Sequence, residues 1–251
     1  MQQSDPYEAH RERYSAAIHQ AQVEGTDAFQ KWFNKTESAQ HAIVDGYWDF
    51  VVHILRPKVC EHIDTPTDCT ALEIGYGGGR LLNAACSFFK EVIGIDIHAE
   101  QATVNAFLRD QGKTNFTLLK TSGNTINVES SSLDFVYSFI VLQHLPDFSS
   151  FQFYFQETYR CLKRGGVAQL YFGKYSRLSR SEQFRYWSQG YKEIRDAAVN
   201  NTSLVVRVGA VKRLSRQIGF EILDTGTSYK NVPNGYPQRP GSQNYITLLK
   251  R

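Results

Sequence analysis

The rhythm of apolar and polar positions changes near residue 70. Before it, residues 5 to about 58 are largely polar and read as helical. Ser4-Asp5-Pro6 is a plausible helix start, because a proline in the first turn lacks only an N–H that would have no partner there. Ala42, Ile43, Tyr47, Phe50, Val51 and Ile54 recur at helical spacing, and Pro57 should end that pattern. No Gly-rich or low-complexity linker follows, so residues 1–60 are expected to form a helical cap on the rest of the chain.

From Thr70 onward, short apolar runs alternate with helical stretches. TALEIG, EVIGIDI, FTLLKT, LDFVYSFI and VAQLYFG read as strands, the last entered through a turn at Gly165-Gly166. RLLNAACSFF, AEQATVNAFLRDQG (closed by Gly112) and HLPDFSSFQFYFQETYRCLK read as the helices between them. Strands that are apolar almost throughout, joined by helices, demand a parallel sheet covered on both faces. Residues 174–205 are polar and aromatic, too long for a connector, and are expected to be a helical insertion. VGAVKRLSRQIG is then a helix, FEILDTGTSY a strand, and NYITLLKR a last strand after the loop PNGYPQRPG. Two strands with no helix between them should pair antiparallel at the sheet edge. The expectation for residues 61–251 is therefore one α/β domain with seven strands, all parallel but the last.

Composition narrows the class without naming it. The 28 basic and 25 acidic residues leave +3, and no Lys/Arg run exceeds two, so nucleic acid is disfavoured as a partner. Cys60, Cys69, Cys86 and Cys161 lack metal or disulfide-framework spacing, which argues for reduced thiols and a cytoplasmic protein without metal. No apolar run is long enough to span a membrane. Aromatic residues make 13% of the chain, enough to furnish both a core and the wall of a pocket.

The chemistry concentrates in ALEIGYGGGRLL. Strand, glycine turn and helix together present backbone N–H groups at a helix N-terminus, where close approach and negative charge are favoured. Asp96 closes the second strand, 21 residues beyond Gly75. A parallel neighbour strand puts that carboxylate beside the loop, where it can accept from both hydroxyls of a ribose; the duller alternative is a helix N-cap. A dinucleotide fingerprint would place its third glycine at Arg80 and would not welcome Glu73 beside a pyrophosphate. A cofactor with an amino group and a sulfonium tolerates that acid, although Glu73 could instead pair with a neighbouring side chain. S-adenosylmethionine satisfies these demands.

Glu73-Ile-Gly75-Tyr-Gly77-Gly-Gly79 resembles motif I of the class I S-adenosylmethionine-dependent methyltransferases. GIDIH, LDFVYSFIVLQHLPD, CLKRGG and RLSRQIGFEILDTG resemble the later segments of the UbiE-like, small-molecule branch, in the same order. Arg164 stands where the family usually has proline. The resemblance implies a Rossmann-like, doubly wound sheet, S-adenosylmethionine as cofactor and a methyl transfer to O, N or C of a small acceptor. It implies a ribose contact at Asp96 and an adenine or ribose-edge contact at Ile97. It also implies an adenine contact at Gly123-Asn124, where the family has Gly-Asp, and flanking of the methionyl group by Phe139 and Ile140. His144, just after the fourth strand, is the candidate general base, or else a backbone-bonded residue. Tyr14, His41, Tyr47, Tyr175, Arg177 and Trp187 are candidate substrate contacts from the cap and the insertion. The absence of a [DN]PP[YF] motif at SFIVLQH disfavours base or glutamine methylation. A protein or RNA methyltransferase, a nucleotide oxidoreductase and a non-catalytic cofactor-binding protein remain as alternatives. The sequence allows a monomer or a homodimer.

Overall fold

The structure is a computed structural model, and it describes residues 6–34, 38–123, 125–174, 180–230 and 239–251. Helices α1 (Pro6–Val23), α2 (Thr26–Asn34), α3 (Ala39–Asp49) and the four-residue α4 (Pro57–Cys60) precede the sheet. The helix widens into one π turn over Phe50–Ile54 and ends at Leu55, with Arg56 extended ahead of Pro57 as expected, and Pro57 also opens α4. A proline at a first helical position costs no bond, which is why the same residue serves as a start.

The sheet runs through β1 (Thr70–Ile74), β2 (Glu91–Asp96), β3 (Phe116–Lys120), β4 (Leu133–Ser138) and β5 (Leu162–Gly173). The crossovers carry α5 (Arg80–Ala85), α6 (Gln101–Asp110) and α7 (Phe148–Cys161). Gly165 and Gly166 lie inside β5 rather than ahead of it, where the register against β4 slips between Leu133 and Phe135. The chain then forms α8 (Arg180–Gln189), β6 (Tyr191–Glu193), β7 (Leu204–Val206), α9 (Val208–Ile218), β8 (Phe220–Lys230) and β9 (Arg239–Lys250). The insertion is thus helical only in its first half. Its second half is a two-stranded antiparallel ribbon of β6 and β7, overturning the all-helical expectation.

Seven strands lie in the order β3-β2-β1-β4-β5-β9-β8. All neighbouring pairs are parallel except those made by β9, which runs antiparallel to both β5 and β8. The last strand therefore enters between its neighbours, and β8 takes the edge.

Strand alternation divides the core in two. Phe135 and Tyr137 of β4 face the helical cap with Phe29, Phe50 and Leu82, whereas Val136 faces α7 and α9 with Leu72, Phe155 and Val211. Glu73 is paired in register with Tyr137 and points to the cap side. The cap sits close to the sheet: a Cβ on Gly46 of α3 would lie 2.4 Å from the backbone oxygen of Arg80. Strand order reverses between β1 and β4, and in such sheets ligands bind beyond the carboxyl ends of the strands at that point.

Candidate functional site

The loop after β1 is built to leave room. Gly75, Gly77 and Gly79 have φ of +78°, +51° and +85°, a region that strains any side chain. Gly75 and Gly77 open onto one large cavity of about 1040 Å³, part of it continuous with solvent. Gly79 does not reach it: as the N-cap of α5 it faces inward, where a Cβ would come 2.8 Å from Val104 of α6. The loop is fixed from both sides. The Gln30 amide of α2 donates to the Gly78 carbonyl (2.9 Å), and the buried His98 ring donates through Nε2 to the Gly77 carbonyl (3.1 Å). His98 is the neutral Nε2–H tautomer, because its Nδ1 accepts from the Glu100 N–H (3.1 Å).

Asp96 receives the Gly77 N–H on Oδ2 (2.8 Å) and the Ile97 N–H on Oδ1 (2.7 Å). Each oxygen of an ionised carboxylate keeps further acceptor capacity, and Asp96 lines the cavity. Two such oxygens suit two adjacent hydroxyls. The N-cap of α6 is Glu100, so Asp96 does not serve as that cap. Glu73 is buried on the cavity floor with the Tyr137 hydroxyl donating to Oε2 (3.0 Å). It forms no ion pair among the described residues. Burial pushes its carboxyl up to about 8, opposed by that hydrogen bond and by the nearby Arg80 charge. An acid in this position, with no ion pair of its own among the described residues, fits a ligand that brings a cation. The residues present thus fit both the ribose and the aminoacyl end of S-adenosylmethionine.

Ile97, Phe139 and Ile140 also line the cavity. Phe139 is backed by the His53 ring (4.9 Å, stacked) and Tyr171 (4.9 Å, edge-on). Ile140 has φ +60°, an outlier for a β-branched residue, and strain of this kind collects at ligand sites. Gly123 stands behind the wall, its α-carbon against Tyr7, where a Cβ would overlap the phenol oxygen. Asn124 lies outside the described residues.

The cap roofs the cavity. Tyr7, His10 and Tyr14 of α1 face it together with Trp32 and Phe33 of α2. The Tyr14 hydroxyl accepts the Asn200 N–H (3.1 Å), tying α1 to the segment between β6 and β7. Burial raises the Tyr7 and Tyr14 phenols and lowers the His10 imidazole, keeping all three uncharged near neutrality. His144, on the turn after β4, lines the same space. Its Nδ1 donates to the Asn201 carbonyl (2.8 Å), which leaves Nε2 as the acceptor facing the Gln143 amide at 3.0 Å.

Three expected substrate contacts lie elsewhere. His41 is exposed on α3, where its N–H bonds the Ser38 hydroxyl. Tyr47 points away from the cavity to Ser87 (2.7 Å) and Lys113 (3.1 Å). Trp187 is exposed and covered by the Arg207 guanidinium at 4.0 Å. Helical spacing identified the elements carrying these residues but not the side of the helix that faces the ligand. Tyr175 and Arg177 lie outside the described residues. His10, like Tyr14, was expected to reach the cleft from the first helix; the wall residues not anticipated, Tyr7, Trp32, Phe33 and Asn200, had one readable signal, since Tyr7 shares a face with His10 and Tyr14 at spacings of three and four.

A glycine turn at the switch point, an acid at the end of the next strand and a buried acid beneath them are the arrangement expected of a class I S-adenosylmethionine-dependent methyltransferase site. Residues 72–170 match the model of a methyltransferase domain family. The matched segment contains the glycine loop, Asp96 and the end of β4, and S-adenosylmethionine is the cofactor these residues fit. Phosphoethanolamine N-methyltransferase 2 of Caenorhabditis elegans is 27% identical over 201 residues, 73% of this chain and 45% of that protein. The chain thus spans less than half the length of this curated relative. A methyltransferase structure from Methanosarcina mazei shares the fold at TM-score 0.58 and 22% identity, over 78% of this chain and 97% of the other. One from Clostridium acetobutylicum does so at TM-score 0.57 and 15% identity, over 82% and 91%.

Proposed function

We propose that the protein transfers a methyl group from S-adenosylmethionine to a small-molecule acceptor, and that the methylated atom is an amine nitrogen. The observation that carries this reading is one cavity lined from floor and roof. Asp96 and Glu73 line its floor, and Tyr7, His10, Tyr14 and Trp32 line its roof. A roofed space of about 1040 Å³, part of it continuous with solvent and shared with a nucleoside cofactor, favours a small acceptor.

Bound S-adenosylmethionine supplies a methyl group on a sulfonium leaving group. The chain has to hold the acceptor in line with that methyl and keep water away. The roof rings do both, and aromatic faces also attract the partial or full positive charge of an amine. An amine attacks as the neutral base, so a proton must leave. Of the two imidazoles on the wall, His144 has its Nε2 against the Gln143 amide. His10 is held neutral by burial and bonds the backbone at His144. We assign proton acceptance to His10 and positioning of the roof to His144. The curated relative, by its name a phosphoethanolamine N-methyltransferase, is consistent with an amine acceptor.

The test is S-adenosylhomocysteine formation with matched panels of primary amines, including phosphorylated amino alcohols, and of phenols and alcohols. N-methylated products are expected. Turnover confined to hydroxyl acceptors would overturn the amine assignment. Cofactor binding with no turnover on any panel would indicate a non-catalytic binding protein.

A further inference from the structure

Arg80 occupies the position that argues against a pyrophosphate, and its surroundings give it a different task. It begins α5 directly after the glycine loop and lines the cavity beside Glu73. Its guanidinium is largely buried. One nitrogen, Nη1, donates to Asp49 Oδ2 (2.7 Å) and to the Asp45 carbonyl (3.3 Å), both on α3. Nε and Nη2 have no acceptor among the described residues. A guanidinium has five N–H donors in a planar fork, so half of the fork is committed to the cap and the other half remains.

Arg80 lines a cavity whose cofactor is cationic at sulfur. Asp49 offsets part of the Arg80 charge, and an anion between the guanidinium and the sulfonium would remove the remaining repulsion. S-adenosylmethionine carries one anion, the α-carboxylate, on the same carbon as its ammonium group. Glu73 and Arg80 are close enough that the Arg80 charge lowers the Glu73 carboxyl. We infer that Arg80 binds the cofactor's α-carboxylate while Glu73 takes the adjoining ammonium, so that an acid and a base on one wall grip the two ends of the amino-acid group. This assignment rests on the cofactor reading above and adds to it a residue and a role. Asp49 is then a positioning residue: it turns Nη1 toward α3 and aims the other edge of the fork into the cavity. A competing role for Arg80 is structural, as a tie between α3 and α5 alone.

The two roles separate by ligand. S-adenosylhomocysteine has the amino-acid group; 5′-methylthioadenosine has the same nucleoside and thioether without it. Calorimetric titration of wild type, Arg80→Met and Arg80→Lys with both ligands, alongside thermal melting, tests the assignment. Arg80→Met should bind S-adenosylhomocysteine about 10- to 100-fold more weakly, with methylthioadenosine affinity changed less than about 3-fold. Arg80→Lys should recover part of the loss, since an ammonium supplies charge without the fork. Equal losses for both ligands, or no loss for either, would overturn the Arg80 assignment and leave the cofactor site intact. Wild-type protein that binds neither ligand would instead overturn the cofactor reading itself. If Arg80→Met does not fold, Asp49→Asn replaces it: the fork loses its anchor, and selectivity for S-adenosylhomocysteine over methylthioadenosine should fall.

Discussion

Glu73 stores the sharpest residue-scale consequence. A carboxyl held at about 8 by burial is protonated in the empty protein at pH 7. In the unfolded chain it would ionise near 4.3. The folded value is raised, so the contribution of Glu73 to stability is full below about pH 4 and is lost as pH climbs through 8. Glu73→Gln should therefore melt higher than wild type at pH 8.5 and about the same below pH 4, checked by thermal denaturation without ligand. Binding an ammonium favours the carboxylate, so the ligand should expel a proton. Affinity for S-adenosylhomocysteine should rise from pH 5.5 toward 8, above which the ligand's own amino group loses its charge. Glu73→Gln should abolish that rise, and calorimetry in two buffers of different ionisation enthalpy measures the proton. Asp96 makes the simpler case. Asp96→Ala removes the acceptor of the Gly77 and Ile97 N–H groups and two charged bonds of roughly 1.5–3 kcal/mol each. S-adenosylhomocysteine affinity should fall at least ~10-fold, and wild-type affinity would mean that the ribose site lies elsewhere. The placement of Glu73 and Asp96 in one cavity was legible in the sequence because β1 and β2 are read locally and their pairing follows from parallel order. Arg80 was legible only as an obstacle to a dinucleotide, since its role depends on α3, 31 residues away in sequence.

At the scale of elements, sequence periodicity gave every strand of the main sheet, because buried strands are apolar on both faces. It missed β6 and β7, which have three residues each and gain their bonds only from one another, so no alternation marks them. It found the cap helices but could not orient them. Helix α1 shows why: it buries Tyr7, Tyr14, Ile18 and Ala21 among many charged residues, a stripe too thin to stand out. Its polar ties run to loops and other helices rather than to sheet strands, among them the Arg11 guanidinium on the Ser122 carbonyl at 3.4 Å, His19 2.9 Å from Glu100, the Tyr14 hydroxyl on Asn200 and His10 on the backbone at His144. Such an element opens at lower free energy than the sheet beneath it. Amide exchange in α1 should be at least ~100-fold faster than in β4 in the empty protein. S-adenosylhomocysteine should slow it, because a ligand on the cavity floor supports the rings of the roof. Exchange in α1 as slow as in β4 before ligand is added would show the roof to be rigid.

For the whole molecule, the two core clusters and the cap meet at one cavity, so ligand binding is expected to stabilise the entire assembly. Loops from β1, β2 and β4 form the floor, α1 and α2 the roof, and the Asn200 segment one side. A ligand that binds only the folded state at 100 times its dissociation constant adds about 2.7 kcal/mol. For a chain of 251 residues, roughly 2–4 °C per kcal/mol applies. Saturating S-adenosylhomocysteine should then raise a single melting transition by about 5–11 °C. Scanning calorimetry distinguishes this from the alternative in which residues 1–60 unfold on their own. In that case two transitions appear, and the ligand moves both only if each contributes to its site. The Gln30–Gly78 bond and the Arg80–Asp49 pair both join cap to core across the cavity edge. With those connections the one-transition outcome follows, and a ligand-insensitive early transition would remove the cap from the binding site.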